Sequence, residues 1–207
     1  MSIGTESWFL SWRWWLGMRS KLTSQPPSRK LSITVLIPAY NEERSIAGTM
    51  HSIRRQTVVP DHIIVVDDCS TDDTARIARE WGATVLKTPR NQGTKAQAQN
   101  YALDHINTDL FVTVDADTRL EKDAIEKTLP YFNDPKTCAV CGFVVPQRIS
   151  TLWERGRFVE YILGFVIFKG AQNHIGTVMV SSGCFSVFKT DLVKEYGGLN
   201  ERTSAED

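Results

Sequence analysis

The chain has 207 residues, 42% of them hydrophobic, enough to bury one sizeable core and too few for two full domains. Lys plus Arg and Asp plus Glu each total 24, so no overall field points to nucleic acid or a polyanionic partner, and function is expected from local sites. Cys69, Cys138, Cys141 and Cys184 follow no secretory signal and no framework spacing, so reduced thiols on the cytosolic side are expected. Cys138 and Cys141 form a lone CxxC inside CAVCGFVV. That run reads as a buried strand, which makes them core thiols rather than half of a zinc site.

At the N-terminus, WFLSWRWWLGMRSK places Trp8, Trp12, Trp15 and Arg19 at helical spacing. It is too short to cross a bilayer, which takes roughly 20 apolar residues. Trp beside basic residues suits the headgroup region, so residues 1–30 read as an interfacial segment followed by the linker TSQPPSRK.

From residue 31 to 207 apolar runs alternate with amphipathic helical stretches, the pattern of an α/β domain with a mostly parallel sheet flanked by helices. ITVLIP is the first strand, followed by a helix carrying Ile46, Met50 and Ile53 on one face. HIIVVDD is the second, leading into STDDTARIAREWG, where Ser70 or Thr71 is expected to cap a helix that Gly82 ends. ATVLK, a helix with Ala98, Ala102 and Ile106, the strand LFVTV and a helix with Ile125, Leu129 and Phe132 continue the alternation. Beyond CAVCGFVV come an amphipathic helix from about Leu152 to Lys169 and a strand pair around TVMVSSGCFSVF. The stretch YILGFVIF is too short to span a membrane and reads as a buried or interfacial helix.

In an open α/β sheet, ligands bind outside the carboxyl ends of the strands. Three polar loops are expected there: PAYNEE, DDCSTDD and DADT. No GxGxxG or Walker-type loop occurs, so phosphate charge needs another counter-ion. Asp115 and Asp117 can present two hard oxygen ligands to Mg²⁺ or Mn²⁺, which would bridge a diphosphate. Taken alone, the pair also reads as a solvated turn with Asp117 capping the next helix, and helix N-terminal charge is an alternative role for Asp72 and Asp73.

The ordered set IPAYNEE, VVDDCSTDDT, NQGTKAQAQNYAL, VDADT, SSGCFSVFK and AED resembles family 2 glycosyltransferases, in the style of membrane-associated poly-N-acetylglucosamine, hyaluronan and chitin synthases. The resemblance implies a GT-A fold and an inverting, metal-dependent transfer from a nucleotide sugar to a saccharide or lipid-linked acceptor. It puts the enzyme at the cytoplasmic face of the plasma (inner) membrane. It assigns Pro38, Ala39, Tyr40 and Glu42 to the nucleoside pocket, with Tyr40 as a stacking surface, and Asp67 and Asp68 to the base, favouring a UDP donor. Lys95 is implied near the diphosphate, Asp115 at the sugar nucleotide, Asp117, with Asp115, at the metal, and Asp207 as the base that takes a proton from the acceptor hydroxyl. Cys69 departs from the glycine usual in the second loop. Such synthases continue past the ED pair into a Gln-x-x-Arg-Trp motif and membrane helices, so a partial domain is expected here. Two other readings are a non-catalytic nucleotide-sugar-binding fragment and a sugar-nucleotide pyrophosphorylase. The latter calls for a Gly-rich, basic loop after the first strand, and PAYNEE is neither.

Overall fold

The computed structural model describes residues 29–142, 151–163 and 183–200. The strands are β1 (Ile33–Ala39), β2 (His62–Asp67), β3 (Thr84–Lys87), β4 (Leu110–Val114), β5 (Ala139–Cys141) and β6 (Phe185–Lys189). The helices are α1 (Ile46–Arg54), α2 (Thr74–Glu80), α3 (Lys95–Leu103), α4 (Ala124–Thr128), continued by a 3₁₀ turn over Leu129–Asn133, α5 (Leu152–Leu163) and α6 (Thr190–Glu195). One six-stranded sheet has the order β3-β2-β1-β4-β6-β5. β1 is parallel to β2 and β4, and β2 to β3, whereas β6 runs antiparallel to both β4 and β5.

Strand alternation divides the core between the two faces of the sheet. Ile33, Val35 and Ile37 of β1 join Val112 and Val114 of β4, Val187 of β6 and the helical residues Ile46, Met50, Ile53, Ile125, Leu129 and Phe132. On the opposite face Leu36, Ile64, Val66 and Phe111 meet Ala98, Ala102, Leu103 and Ile106. Phe111 and Phe188 stack there with centroids 5.2 Å apart, adding directional contact to the buried area.

The chain runs β1 to β2 to β3 on one side and then crosses to β4 on the other. The strand order therefore reverses between β1 and β4, and the loops leaving their carboxyl ends meet at this switch point, where ligands bind in open α/β sheets.

Several local expectations are corrected. α2 begins only at Thr74, with Asp73 at the cap and no side-chain capping bond; Ser70 and Thr71 bond across to Asn41 instead. Gly82 does end α2, at φ +80. α4 begins at Ala124, too far along for Asp117 to cap it. The CxxC strand is not a buried one: β5 lies at the sheet edge, Cys138 is exposed and Cys141 half-buried. Edge position explains this, because one flank of β5 has no neighbouring strand among the described residues. α5 is described as far as Leu163, and Trp153 on it is 88% exposed. No helix among the described residues is long and apolar enough to cross a membrane. The Trp-rich segment, the first half of the last expected strand pair and Asp207 lie outside the described residues.

Candidate active site

The loops after β1 and β2 are tied together by groups that neither strand could use in its ladder. Asn41 adopts φ 56, a left-handed conformation that its short polar side chain tolerates. Its N–H donates to Ser70 Oγ at 3.0 Å and its Oδ1 accepts from the Thr71 N–H at 2.8 Å. Glu42 N–H donates to Thr74 Oγ1 at 2.7 Å, and Glu43 N–H to Asp72 Oδ2 at 3.0 Å. This zipper holds Tyr40 at the rim with 53% of its surface exposed, next to half-buried Pro38 and buried Ala39. A ring so presented is free to stack on a planar ligand. The Glu42 carboxylate accepts from the Ser45 hydroxyl at the start of α1.

Asp67 and Asp68 are 1% and 7% exposed, and both serve the protein. Asp68 accepts from Thr88 Oγ1 at 2.7 Å and, through both oxygens, from the Gln92 N–H at 2.9 and 3.0 Å. It therefore anchors the NQG loop that leads to α3. Asp67 Oδ1 accepts from the Ser70 N–H at 2.9 Å. No donor reaches its Oδ2 among the described residues, so Asp67 keeps one acceptor for a ligand. Between Asp68 and Ser70, Cys69 sits at φ 64, which explains why glycine suits that position.

Beyond β4 the DAD turn is fixed from beneath. Ala116 is buried in the core, and its carbonyl accepts from the buried Thr49 Oγ1 of α1 at 2.7 Å. Ser52 Oγ accepts from the Leu120 N–H at 3.1 Å. With the middle residue pinned inward, Asp115 and Asp117 are turned outward, half-exposed and exposed respectively. The Lys95 ammonium, at the start of α3, pairs with the Asp115 carboxylate and donates to the Gly183 carbonyl oxygen at 2.6 Å. Thr94 caps α3 by accepting from the Gln97 N–H at 3.3 Å, fixing where that lysine starts. Cys184 completes the cluster. Its carbonyl accepts from the Asp115 N–H at 3.3 Å, and burial, reinforced by the Asp115 carboxylate, pushes its thiol up to about 11.

The donor set suits a hard divalent cation. Among the described residues no three or more His, Cys, Asp or Glu side chains gather to enclose a metal, so Asp115 and Asp117 could supply only part of a coordination sphere. Mg²⁺-type sites of this kind use one or two carboxylates and complete the sphere with substrate phosphates and water.

The structure thus brings Lys95 and Asp115 into contact and sets Tyr40, Asp67 and Asp117 at the same carboxyl edge of the sheet. Thr49, Ser52, Gln92 and Cys184 were not singled out by sequence reasoning. The SSGCFSVFK run was a usable signal for Cys184, whereas the hydroxyls beneath the DAD turn had none.

Comparison with known proteins bears on the family and the fold. The family model described as Glycosyl transferase family 2 matches residues 34–197. Hyaluronan synthase of Streptococcus pyogenes is 30% identical over 173 residues, covering 78% of this chain and 41% of that protein. A 4,4'-diaponeurosporenoate glycosyltransferase of Staphylococcus aureus is 44% identical over 100 residues, covering 46% and 26% respectively. The chain therefore spans less than half the length of these relatives. Among solved structures, the mannosyltransferase PcManGT from Pyrobaculum calidifontis, in complex with GDP-Man and Mn2+, superposes with a TM-score of 0.68 at 23% identity, over 96% of this chain and 56% of that one. S. aureus TarS 1-349 in complex with UDP-GlcNAc gives 0.59 at 22% identity, over 86% and 51%. These neighbours share the GT-A fold, and the chain belongs to glycosyl transferase family 2.

Proposed function

We propose that this chain forms the donor-binding part of an inverting glycosyltransferase that takes a UDP-sugar with a divalent cation and serves a saccharide or lipid-linked acceptor at the cytoplasmic face of a membrane. The observation that carries the reading is the DAD turn at the β1/β4 switch point. Its alanine is locked into the core while Asp115, paired with Lys95, and exposed Asp117 are turned outward. Hyaluronan synthase among the relatives favours a polysaccharide or glycolipid product.

In this reading Tyr40 stacks on the base, and the free Asp67 Oδ2 accepts the imide N–H of uracil. Asp68 holds the NQG loop from below. Lys95 reaches the diphosphate from the start of α3. Asp115 and Asp117 would hold Mg²⁺ or Mn²⁺, which when bound supplies charge neutralisation for the departing diphosphate. The acceptor oxygen forms its bond to the anomeric carbon as the bond from that carbon to the UDP oxygen breaks. The hydroxyl proton passes to the Asp207 carboxylate, and attack from the opposite face inverts the configuration.

Calorimetric titration of UDP and GDP with Mn²⁺ and in EDTA tests the reading. UDP is expected to bind more tightly than GDP and to lose affinity in EDTA. Equal affinity in EDTA would remove the metal from Asp115 and Asp117, and tighter GDP binding would move the donor to the guanine class. A chain that binds UDP-sugar but transfers nothing, with all acceptors offered, is the non-catalytic alternative.

A further inference from the structure

The cation already at the acidic turn is the protein's own. The Lys95 ammonium lies between the Asp115 carboxylate and the Gly183 carbonyl oxygen, the latter at 2.6 Å. These are two hard oxygen acceptors from separate parts of the fold around one positive charge, the ligand chemistry that also suits a divalent ion. The pair is partly shielded from water, with side-chain exposures of 21% for Lys95 and 26% for Asp115, so its attraction is less screened than that of a fully exposed surface pair. The neighbouring cation, Arg119, is directed elsewhere: its guanidinium packs over Gly48 of α1, where an added Cβ would lie 2.9 Å from it.

We infer that Lys95 is a tethered counter-cation of the DAD turn, released from Asp115 when a nucleoside diphosphate arrives, so that the turn takes up a divalent ion efficiently only with nucleotide present. Without nucleotide, a metal ion at Asp115 faces a carboxylate already neutralised and an ammonium that repels it. A diphosphate offers that ammonium anionic oxygens of its own. Asp115 then regains its full charge beside exposed Asp117, and the same diphosphate supplies the remaining metal ligands. Metal and nucleotide are thereby coupled, each strengthening the other by the same factor. Lys95 thus serves the diphosphate directly and the metal through Asp115. The inference rests on the donor reading proposed above.

The test is Mn²⁺ binding to the full chain, followed by the electron paramagnetic resonance of free Mn²⁺, with and without UDP. Wild type is expected to bind Mn²⁺ weakly alone and more tightly with UDP. Lys95→Met should tighten nucleotide-free binding by roughly fivefold or more, the scale of a partly buried ion pair, and reduce the enhancement by UDP. Lys95→Arg, which keeps the charge, should leave nucleotide-free binding weak, and circular dichroism establishes that each variant is folded; Lys95→Gln replaces the methionine variant if that one does not fold. Equal or weaker nucleotide-free binding in the neutral variant, with UDP still tightening Mn²⁺, overturns the counter-cation while leaving the donor reading intact. Absence of UDP binding by wild type, with or without Mn²⁺, overturns both.

Discussion

The two ends of the parallel sheet use the same residue type for opposite purposes. At the amino end, Asp61 Oδ2 accepts from the Ile33 N–H at 2.8 Å. Asp109 accepts from the Ser32 N–H and hydroxyl, each at 2.8 Å, and from Arg29 at 2.6 Å. These carboxylates are consumed in fixing where β1 and β4 start. At the carboxyl end, Asp117 is exposed, Asp115 is held by side chains, Lys95 and Cys184, and Asp67 keeps one acceptor oxygen among the described residues. A carboxylate whose acceptors are filled by backbone amides stabilises; one whose acceptors face a crevice is free for chemistry. Asp68 lies at the carboxyl end yet follows the stabilising pattern.

The largest expected effect is at Asp207, the base proposed for the acceptor hydroxyl. In a chain competent for transfer, Asp207→Asn is expected to lower turnover by about 10²-fold to 10⁴-fold with UDP affinity nearly unchanged. Donor titration and turnover on one preparation check this, and full activity in the variant sinks the assignment. Next in size is Asp109→Asn at the amino end of the sheet, expected to cost about 1–3 kcal/mol of stability by weakening charge-assisted bonds to Ser32 and Arg29, with nucleotide affinity untouched. Urea denaturation measures it.

Asp109 also sets an acid limb. The Ser32 amide, aided by the Ser32 hydroxyl and Arg29, holds its carboxyl below the usual carboxylate range. Its contribution is complete above the unfolded value near 3.8 and is lost as pH falls through the lower folded value. Stability in wild type should therefore decline below about pH 4 more steeply than in Asp109→Asn. Asp117→Asn reverses the pattern: the Mn²⁺ enhancement of UDP binding disappears while the melting temperature stays within about 1 °C, since an exposed strand-end carboxylate contributes little to the core. The smallest effect belongs to Cys69→Gly. Relief of the left-handed strain offsets the entropy gained by the unfolded chain, leaving stability within about 1 kcal/mol of wild type, as thermal melts would show.

The central strands were legible because β1, β2 and β4 are continuous apolar runs that stop at Pro38, Asp67 and Asp115 or near them. A fully covered parallel sheet demands such runs. The helix start after β2 was not legible: Ser70 and Thr71 have capping chemistry, but Asn41, far away in sequence, claims both. The CxxC strand misled for a similar reason, since apolar residues in a short run do not say whether a strand ends up central or at an edge. Within the site, the acidic loops could be named from their residues, but the contact between Lys95 and Gly183 joins segments that only tertiary packing brings together.

The antiparallel strand β6 carries a consequence for the order in which this domain can assemble. β1, β2 and β3 are connected through nearby helices, whereas Val114 of β4 pairs with Phe185 of β6 across a long stretch of chain. The β4–β6 pairing spans a long sequence separation, so it forms slowly relative to local βα units. The carbonyl groups of Gly183 and Cys184 that meet Lys95 and Asp115 immediately precede β6. The acidic turn therefore acquires its final surroundings late in folding. In pulsed hydrogen exchange during refolding, amides of β1 and β2 should gain protection before those of β6.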